Sequence, residues 1–261
     1  MLVQKMKQFG FTESETNIYL SLVENGSMTG YEVSKKSGVP RSKVYNGLEI
    51  LVKKGVVLVN KSEPKLYSAL SPEEFVSMLK HSTLSDIQYL DDHLSDIKEK
   101  EEDTLLWQLE QKEAVLLKML YMIEHSKKSL YIQIWEENLT PTIVKALEEA
   151  EARLETFVCI LFSNSGQYNL PFKRFYPHGF EVDKIKDMGG RWINLVCDND
   201  IVLFGTLDDV CDVIWSHNKA MRLLAKEYIK HDAYTLKIIQ EHGPELIADY
   251  GKDFEGIRKI Y

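Results

Sequence analysis

Five side chains in one short stretch, Arg41, Ser42, Lys43, Tyr45 and Asn46, carry groups that hydrogen-bond to polyanions and heterocycles. They are a guanidinium, a hydroxyl, an ammonium, a phenol and an amide. An amide such as that of Asn46 can bond an adenine edge in two places, and an ammonium such as that of Lys43 can reach a guanine or a phosphate. Between and beyond these residues, Val44, Leu48 and Leu51 recur at i, i+4 and i+7, the spacing of a helix that buries one face. At about 100° per residue, Ser42, Asn46 and Lys53 fall on the opposite face, with Lys43 at its edge. A short helix of this build suits a major groove.

The elements around it are those needed to hold such a helix. The stretch Thr29 to Gly55 predicts two helices separated by Gly38-Val39-Pro40, with Gly38 ending the first and Pro40 in the first turn of the second. Upstream, Thr12 and Glu15 form a capping box that opens a helix with Ile18 and Leu22 on its apolar stripe. Downstream, Val56-Val57-Leu58-Val59 and Leu66-Tyr67-Ser68-Ala69-Leu70 predict two strands around a turn that carries Lys61 and Lys65. Three helices followed by a two-stranded ribbon make a winged helix–turn–helix, expected over residues 1–75. Lys53, Lys54, Lys61 and Lys65 are placed to reach phosphates, while Ser42, Lys43 and Asn46 face base edges, flanked by Arg41 and Tyr45.

Composition agrees with a DNA-binding head on a body that does not touch DNA. Residues 1–70 hold 10 Lys/Arg and 6 Asp/Glu, a net of +4; the remaining 22 and 34 give −12, and the two sum to the −8 of the whole chain. No run of apolar residues is long enough to span a bilayer, and the first residues lack the build of a signal peptide. Cys159, Cys197 and Cys211 are odd in number and sit in apolar runs, which points to reduced buried thiols and a cytoplasmic location. The seven His residues show no metal-ligand spacing, and no GxSxG, HExxH, GxxxxGK[ST] or GxGxxG occurs, so neither a metal nor a cofactor is expected.

Beyond the ribbon, Ser71-Pro72 opens a helix whose pattern continues with few breakers to about Glu124. Within it Ile87, Leu90, Leu94 and Ile97 alternate spacings of three and four, a coiled-coil seam that serves either a homodimer contact or packing within the chain. Residues 76–112 are therefore expected as a dimerisation helix and linker. From 113 to 261 strands and helices alternate. Ser129–Trp135, a helix opened by Thr140-Pro141, and Phe157–Phe162 form a β-α-β unit with parallel strands. Residues 163–187 read as a long connection rich in aromatic residues, either a lid or a loop anchored by its rings. Trp192–Cys197 and Ile201–Phe204 form a hairpin around Asp198-Asn199-Asp200, and Val210–Trp215 is a further strand. A helix from about Asn218 to Lys230 bears Leu223, Leu224 and Tyr228 on its apolar face, and Asp232 caps a last helix. The fold class expected is α+β, with an α/β C-terminal domain.

The sequence GVPRSKVYNGLEILVKKGVV, with the wing residues Pro64-Lys65-Leu66-Tyr67, resembles the winged-helix domain of TrmB-family transcriptional regulators. The order of parts resembles that family along nearly the whole chain. The resemblance implies a dimeric regulator that binds a double-stranded DNA operator and carries a phospholipase D-like effector domain that responds to small molecules, in many members sugars. The phospholipase D signature is His-x-Lys-x4-Asp, followed six residues later by Gly-Ser or Gly-Thr. Here Arg191 and Ile193 stand at the His and Lys positions, Asp198 at the Asp, and Gly205-Thr206 at the final pair. Arginine is no nucleophile and isoleucine neutralises no phosphate, so this route to phosphodiester hydrolysis is closed and no catalytic residue is expected.

Trp135, Glu136 and Glu137 leave one strand, Trp215, His217 and Asn218 leave another, and Arg191 enters a third. Together they offer aromatic faces and planar or charged groups of the kind that bind a sugar, and form the expected effector site. The competing readings are core tryptophans with Arg191 paired to an acidic neighbour such as Asp198, a C-terminal domain that serves assembly and binds no ligand, and a hydrolase with an atypical site.

Overall fold

The structure is a computed structural model that describes residues 1–60, 63–95, 97 and 105–258. The chain divides into two compact units, Met1–Glu99 and Lys100–Tyr261.

In the first unit, α1 (Leu2–Gln8) and α2 (Glu13–Asn25) precede a two-residue strand β1 (Met28–Thr29), then α3 (Gly30–Ser37) and α4 (Arg41–Lys53). The ribbon β2 (Val57–Asn60) and β3 (Leu66–Ala69) follows, and α5 (Pro72–Leu94) ends the described part of the unit. The cap read from the sequence at Thr12 is present, Thr12 and Glu15 bonding each other's backbone N–H groups at the start of α2, and Thr29 with Glu32 forms a second, unexpected box for α3. Ser71 with Glu74 caps α5, where Pro72 takes the first helical position. Gly38 ends α3 in the left-handed region at φ 69°, and Pro40 stands just outside α4 as its N-cap. Ile18, Leu22, Val33, Val44, Leu48 and Leu51 are buried in one core, closed from the other side by Val56, Val57 and Phe75. Two features lay outside the sequence reading, helix α1 and strand β1. The latter pairs antiparallel with β3, Met28 opposite Tyr67 and Thr29 opposite Leu66, so the wing is a three-stranded sheet of order β1-β3-β2.

The second unit begins, in its described part, with β4 (Trp107–Leu109) and α6 (Lys112–His125), then β5 (Ser129–Trp135), α7 (Pro141–Arg153) and β6 (Thr156–Phe162). After β7 (Tyr176–Pro177) and α8 (Glu181–Met188) come β8 (Trp192–Cys197), β9 (Ile201–Leu207) and β10 (Cys211–Ser216), then α9 (Lys219–Tyr250) and α10 (Glu255–Arg258). The strands form one mixed sheet of order β4-β10-β9-β8-β5-β6-β7. β5 and β6 run parallel in register, Ile132 opposite Cys159, with α7 as the crossover. Leu130, Ile132, Ile134, Ile193 and Leu195 bury against Val115, Met119 and Ile123 of α6 and Ile143 and Leu147 of α7. Trp135, Phe162 and Trp192 point to the other face and meet Ile229, Ala233 and Leu236 of α9. The β8–β9 turn holds Asp198 and Asn199 at φ 52° and 55°, the geometry that favours short polar residues.

Several expectations fail here for identifiable reasons. Helix does not run on to Glu124: α5 ends at Leu94, and Trp107–Leu109 instead pairs antiparallel with Val213–Trp215. Such a pairing with a strand about a hundred residues away leaves no local trace. The 163–187 segment is no bare loop, since it contains β7 and most of α8. Its rings Tyr168, Phe172 and Phe175 pack on the α6/α7 side of the core, which makes them anchors. Asp232 caps nothing. α9 passes straight through it, and the carboxylate accepts a 2.6 Å bond from Gln133 Nε2. The helical dihedrals fail instead at His242, two residues before Pro244, whose ring crowds the preceding turn. Leu223 and Leu224 are exposed at 58% and 66%, so the apolar face of α9 is the one carrying Ala225, Ile229, Ala233 and Leu236.

Candidate nucleic-acid interface

Helix α4 buries Val44, Leu48 and Leu51 completely, and that leaves Arg41, Ser42, Lys43, Tyr45, Asn46 and Lys53 on its open side. Asn46, Ser42 and Lys43 make no side-chain hydrogen bond among the described residues and are exposed to solvent. At the entry to the helix the N-cap is Pro40, which offers no side-chain acceptor, and the first turn holds no acidic residue. The leading N–H groups of α4 thus stay available to an anion. Tyr45 packs against the start of α3, where a Cβ on Gly30 would lie 2.6 Å from its ring; glycine there gives the ring its seat. Half of Tyr45 remains exposed (47%).

One residue of this surface was missed from sequence. Tyr31, 48% exposed on α3, has the Arg41 guanidinium 5.4 Å and the Lys35 ammonium 4.6 Å from its ring centroid. The two cations are thereby held beside the N-terminus of α4. The signal was the exposed aromatic four residues before a lysine on a helix.

The phosphate candidates divide. Lys65 is exposed on the ribbon, and Lys53 is exposed with a 3.1 Å pair to Glu49, one turn away on α4. Lys61 lies outside the described residues. Lys54 is engaged within the head. Its ammonium donates to Glu15 Oε2 at 2.8 Å and to the Gly10 carbonyl at 2.6 Å, and sits 4.4 Å from the Phe11 ring centroid. It ties α4 to α2, with a third of the side chain still exposed.

With this geometry in view, residues 6–73 match the model of a family described as "Sugar-specific transcriptional regulator TrmB". The winged head is thus similar to that of TrmB-family transcriptional regulators. The chain is 28% identical over 264 residues to the protein YrhO of Bacillus subtilis (strain 168), spanning 98% of this chain and 93% of that one. Over 89 residues it is 34% identical to the "HTH-type sugar sensing transcriptional regulator TrmBL1" of Pyrococcus furiosus, a match to 34% of this chain and 26% of that protein. The solved structure of TrmBL2, an archaeal chromatin protein, aligns with 89% of this chain and 97% of that one, at 19% identity and a TM-score of 0.35. The match of the winged head to this family supports a DNA-binding role in transcription regulation.

The effector residues expected from the sequence do not come together. Trp135 is fully buried on the α9 face, its ring 5.2 Å from Phe162 and 6.1 Å from Trp192. Glu136 follows it into a short 3-10 turn. Trp215 instead aligns with Leu203, which aligns with Leu195 and then Ile132, the middle of β5. It packs on the α6 face, stacked at 6.4 Å on Trp107 with the Lys118 ammonium 3.7 Å over its ring. His217 Nδ1 lies 3.1 Å from the Asp200 carbonyl, and Asn218 caps α9 by accepting from the Ala220 and Met221 N–H groups. β10 runs antiparallel to β9, so its end carrying Trp215, His217 and Asn218 lies at the opposite end of the sheet from Trp135, Glu136 and Arg191. The expected set is split between two ends and two faces.

Arg191 does find an acid, though a different one from that expected. Its Nε donates to Asp208 Oδ1 at 2.6 Å and its backbone N–H to Asp208 Oδ2 at 2.9 Å. Asp198 accepts three backbone N–H groups, from Lys127, Lys128 and Ser129, at 2.7, 2.7 and 2.9 Å. Burial opposes its ionisation, but those donors outweigh it and hold the carboxyl below the usual carboxylate range. Gly205 sits at φ 148° against the Asp212 carbonyl, where any Cβ would collide, and this close approach of β9 to β10 requires glycine. The positions that match the phosphodiesterase frame thus have structural roles in this chain: an ion pair, a core isoleucine, a turn clamp and a close approach.

Proposed function

We propose that this regulator binds a two-fold operator as a dimer and that a small molecule held in the C-terminal unit controls the binding. The observation that supports the DNA contact is the unengaged outer face of α4, where Ser42, Lys43 and Asn46 stand exposed over a fully buried Val44, Leu48 and Leu51. In the proposed complex these three side chains meet base edges, Arg41 and Tyr45 flank them, and Lys53, Lys61 and Lys65 reach phosphates. Dimerisation is supported by α5, whose Ile87, Leu90 and Leu94 are 53–56% exposed, with Ile97 beyond it at 63%. Such an apolar seam with no cover within its own unit is what a second copy of the helix would bury. No chemistry at the Arg191 frame enters this function.

Control by a ligand rests on the family's description, which makes sugars the first class to try. The deciding experiment is binding-site selection with the full-length protein from a random DNA pool, followed by anisotropy titrations with candidate ligands. A selected sequence with two inverted half-sites one helical turn apart is expected. Selection of nothing above the non-specific background would overturn the DNA reading.

A further inference from the structure

A cavity of about 340 Å³ opens between α9 and the segment that follows the break at His242. Phe180, Leu236, Ile239, Leu246, Phe254 and Ile257 supply its apolar walls. Its size is that of a small-molecule site. The polar residues among its described lining are His178, Lys184, Asp232 and Thr235, of which His178 and Asp232 lie together.

His178 is the telling residue. Its ring is 5% exposed, held 4.4 Å from Phe162 and 5.7 Å from Phe180. Nε2 faces Asp232 Oδ2 at 3.6 Å, and Nδ1 has no hydrogen-bond partner among the described residues. A buried ring nitrogen without a partner is costly in a protein that has nothing to put there. Asp232 itself is engaged, accepting from Gln133 Nε2 at 2.6 Å, and Gln133 in turn accepts from Asn194 Nδ2 at 3.3 Å. The imidazole is therefore oriented from behind, with one nitrogen left for a guest. Lys184 also lines the cavity, its ammonium donating to the Tyr228 hydroxyl at 3.3 Å, and adds a cation to the lining.

We infer that this cavity binds an amphipathic carboxylic acid, its apolar body against Leu236, Ile239, Leu246 and Phe254 and its carboxylate on His178 Nδ1 and Lys184. A ring carrying its proton on Nδ1 donates from there to the incoming carboxylate, while Nε2 faces Asp232. The apolar walls offer a sugar's hydroxyls few partners, and each one buried there unpaired would oppose binding. This inference rests on the proposed control by a ligand in the C-terminal unit and changes the class of that ligand. The site can be tested apart from DNA.

The test is calorimetry of the full-length protein with octanoate, octan-1-ol and glucose, alongside the variants His178→Phe and Ile239→Trp. The first keeps the ring and removes its nitrogens; the second fills the cavity from a partly exposed helical position and tolerates folding, which circular dichroism checks. Octanoate is expected to bind once per chain, at least tenfold tighter than octan-1-ol. Binding should weaken tenfold or more in His178→Phe and vanish in Ile239→Trp. In the wild type the His178 ring resonances should shift on titration with octanoate. Undetectable binding of octanoate at millimolar concentration, equal affinity in all three proteins, or tighter binding of octan-1-ol or glucose would each overturn the assignment. If octanoate binds as described while operator affinity stays unchanged, the site stands and the regulatory reading falls.

Discussion

Arg191 and Asp208 face each other across the ends of β8 and β9, joined by a side-chain bond of 2.6 Å and a backbone bond of 2.9 Å to the same carboxylate. Gly190 makes room for the pair, since a Cβ there would lie 2.6 Å from the Asp208 oxygen. Both side chains are under a third exposed, so the pair is partly shielded from solvent. A double-mutant cycle on Arg191→Ala and Asp208→Ala should return a coupling of about 1 kcal/mol in urea unfolding. Additive losses would show the two residues acting independently.

Asp198 should matter more. Three backbone N–H donors converge on its carboxylate at the β8–β9 turn, and hydrogen bonds to a charged group are the strong kind. Asp198→Asn keeps a residue that tolerates positive φ but removes the charge, and should destabilise the C-terminal unit by about 1–3 kcal/mol. Because the folded pKa is lowered, this stabilisation is full above the unfolded carboxylate value of about 3.9 and disappears as pH falls through the folded value. Wild type and variant should therefore converge in thermal stability in acid. A constant gap down to the acid-unfolding limit would remove the carboxylate's charge from the account.

On the DNA face, Asn46→Ala should relax base choice at one operator position by about 1–3 kcal/mol, whereas Lys65→Ala should weaken all sequences alike and flatten the salt dependence. Binding-site selection with both variants separates these outcomes. An unchanged sequence preference in Asn46→Ala would mean that α4 presents another edge to the groove.

Leu94 on α5 is 56% exposed, so replacement by Asp buries no charge in an isolated chain. In a contact between two copies it would bury a charge. Sedimentation of Leu94→Asp should show monomers, with operator affinity reduced in parallel. A variant that remains dimeric at micromolar concentration would move the contact off α5.

The residue order alone determined the DNA-binding head and its presented face. Those features are local: the 3.6-residue period of Val44, Leu48 and Leu51, the caps at Thr12 and Ser71, and the glycine that ends α3 each depend on neighbours within a few positions. The β5-α7-β6 unit was legible for the same reason. Tertiary structure decided everything that rests on distant partners. Strands β1 and β4 exist because β3 and β10 pair with them. Asp232 sits inside a helix because Gln133, far along the chain, satisfies its carboxylate. Lys54 looks like a phosphate contact until Glu15 and Gly10 claim its ammonium. Above all, the order of strands in the sheet sets Trp215 and Trp135 on opposite faces and brings His178 beside α9. Sequence periodicity specifies which side chains share a face of one element, but only the pairing of elements specifies which faces meet.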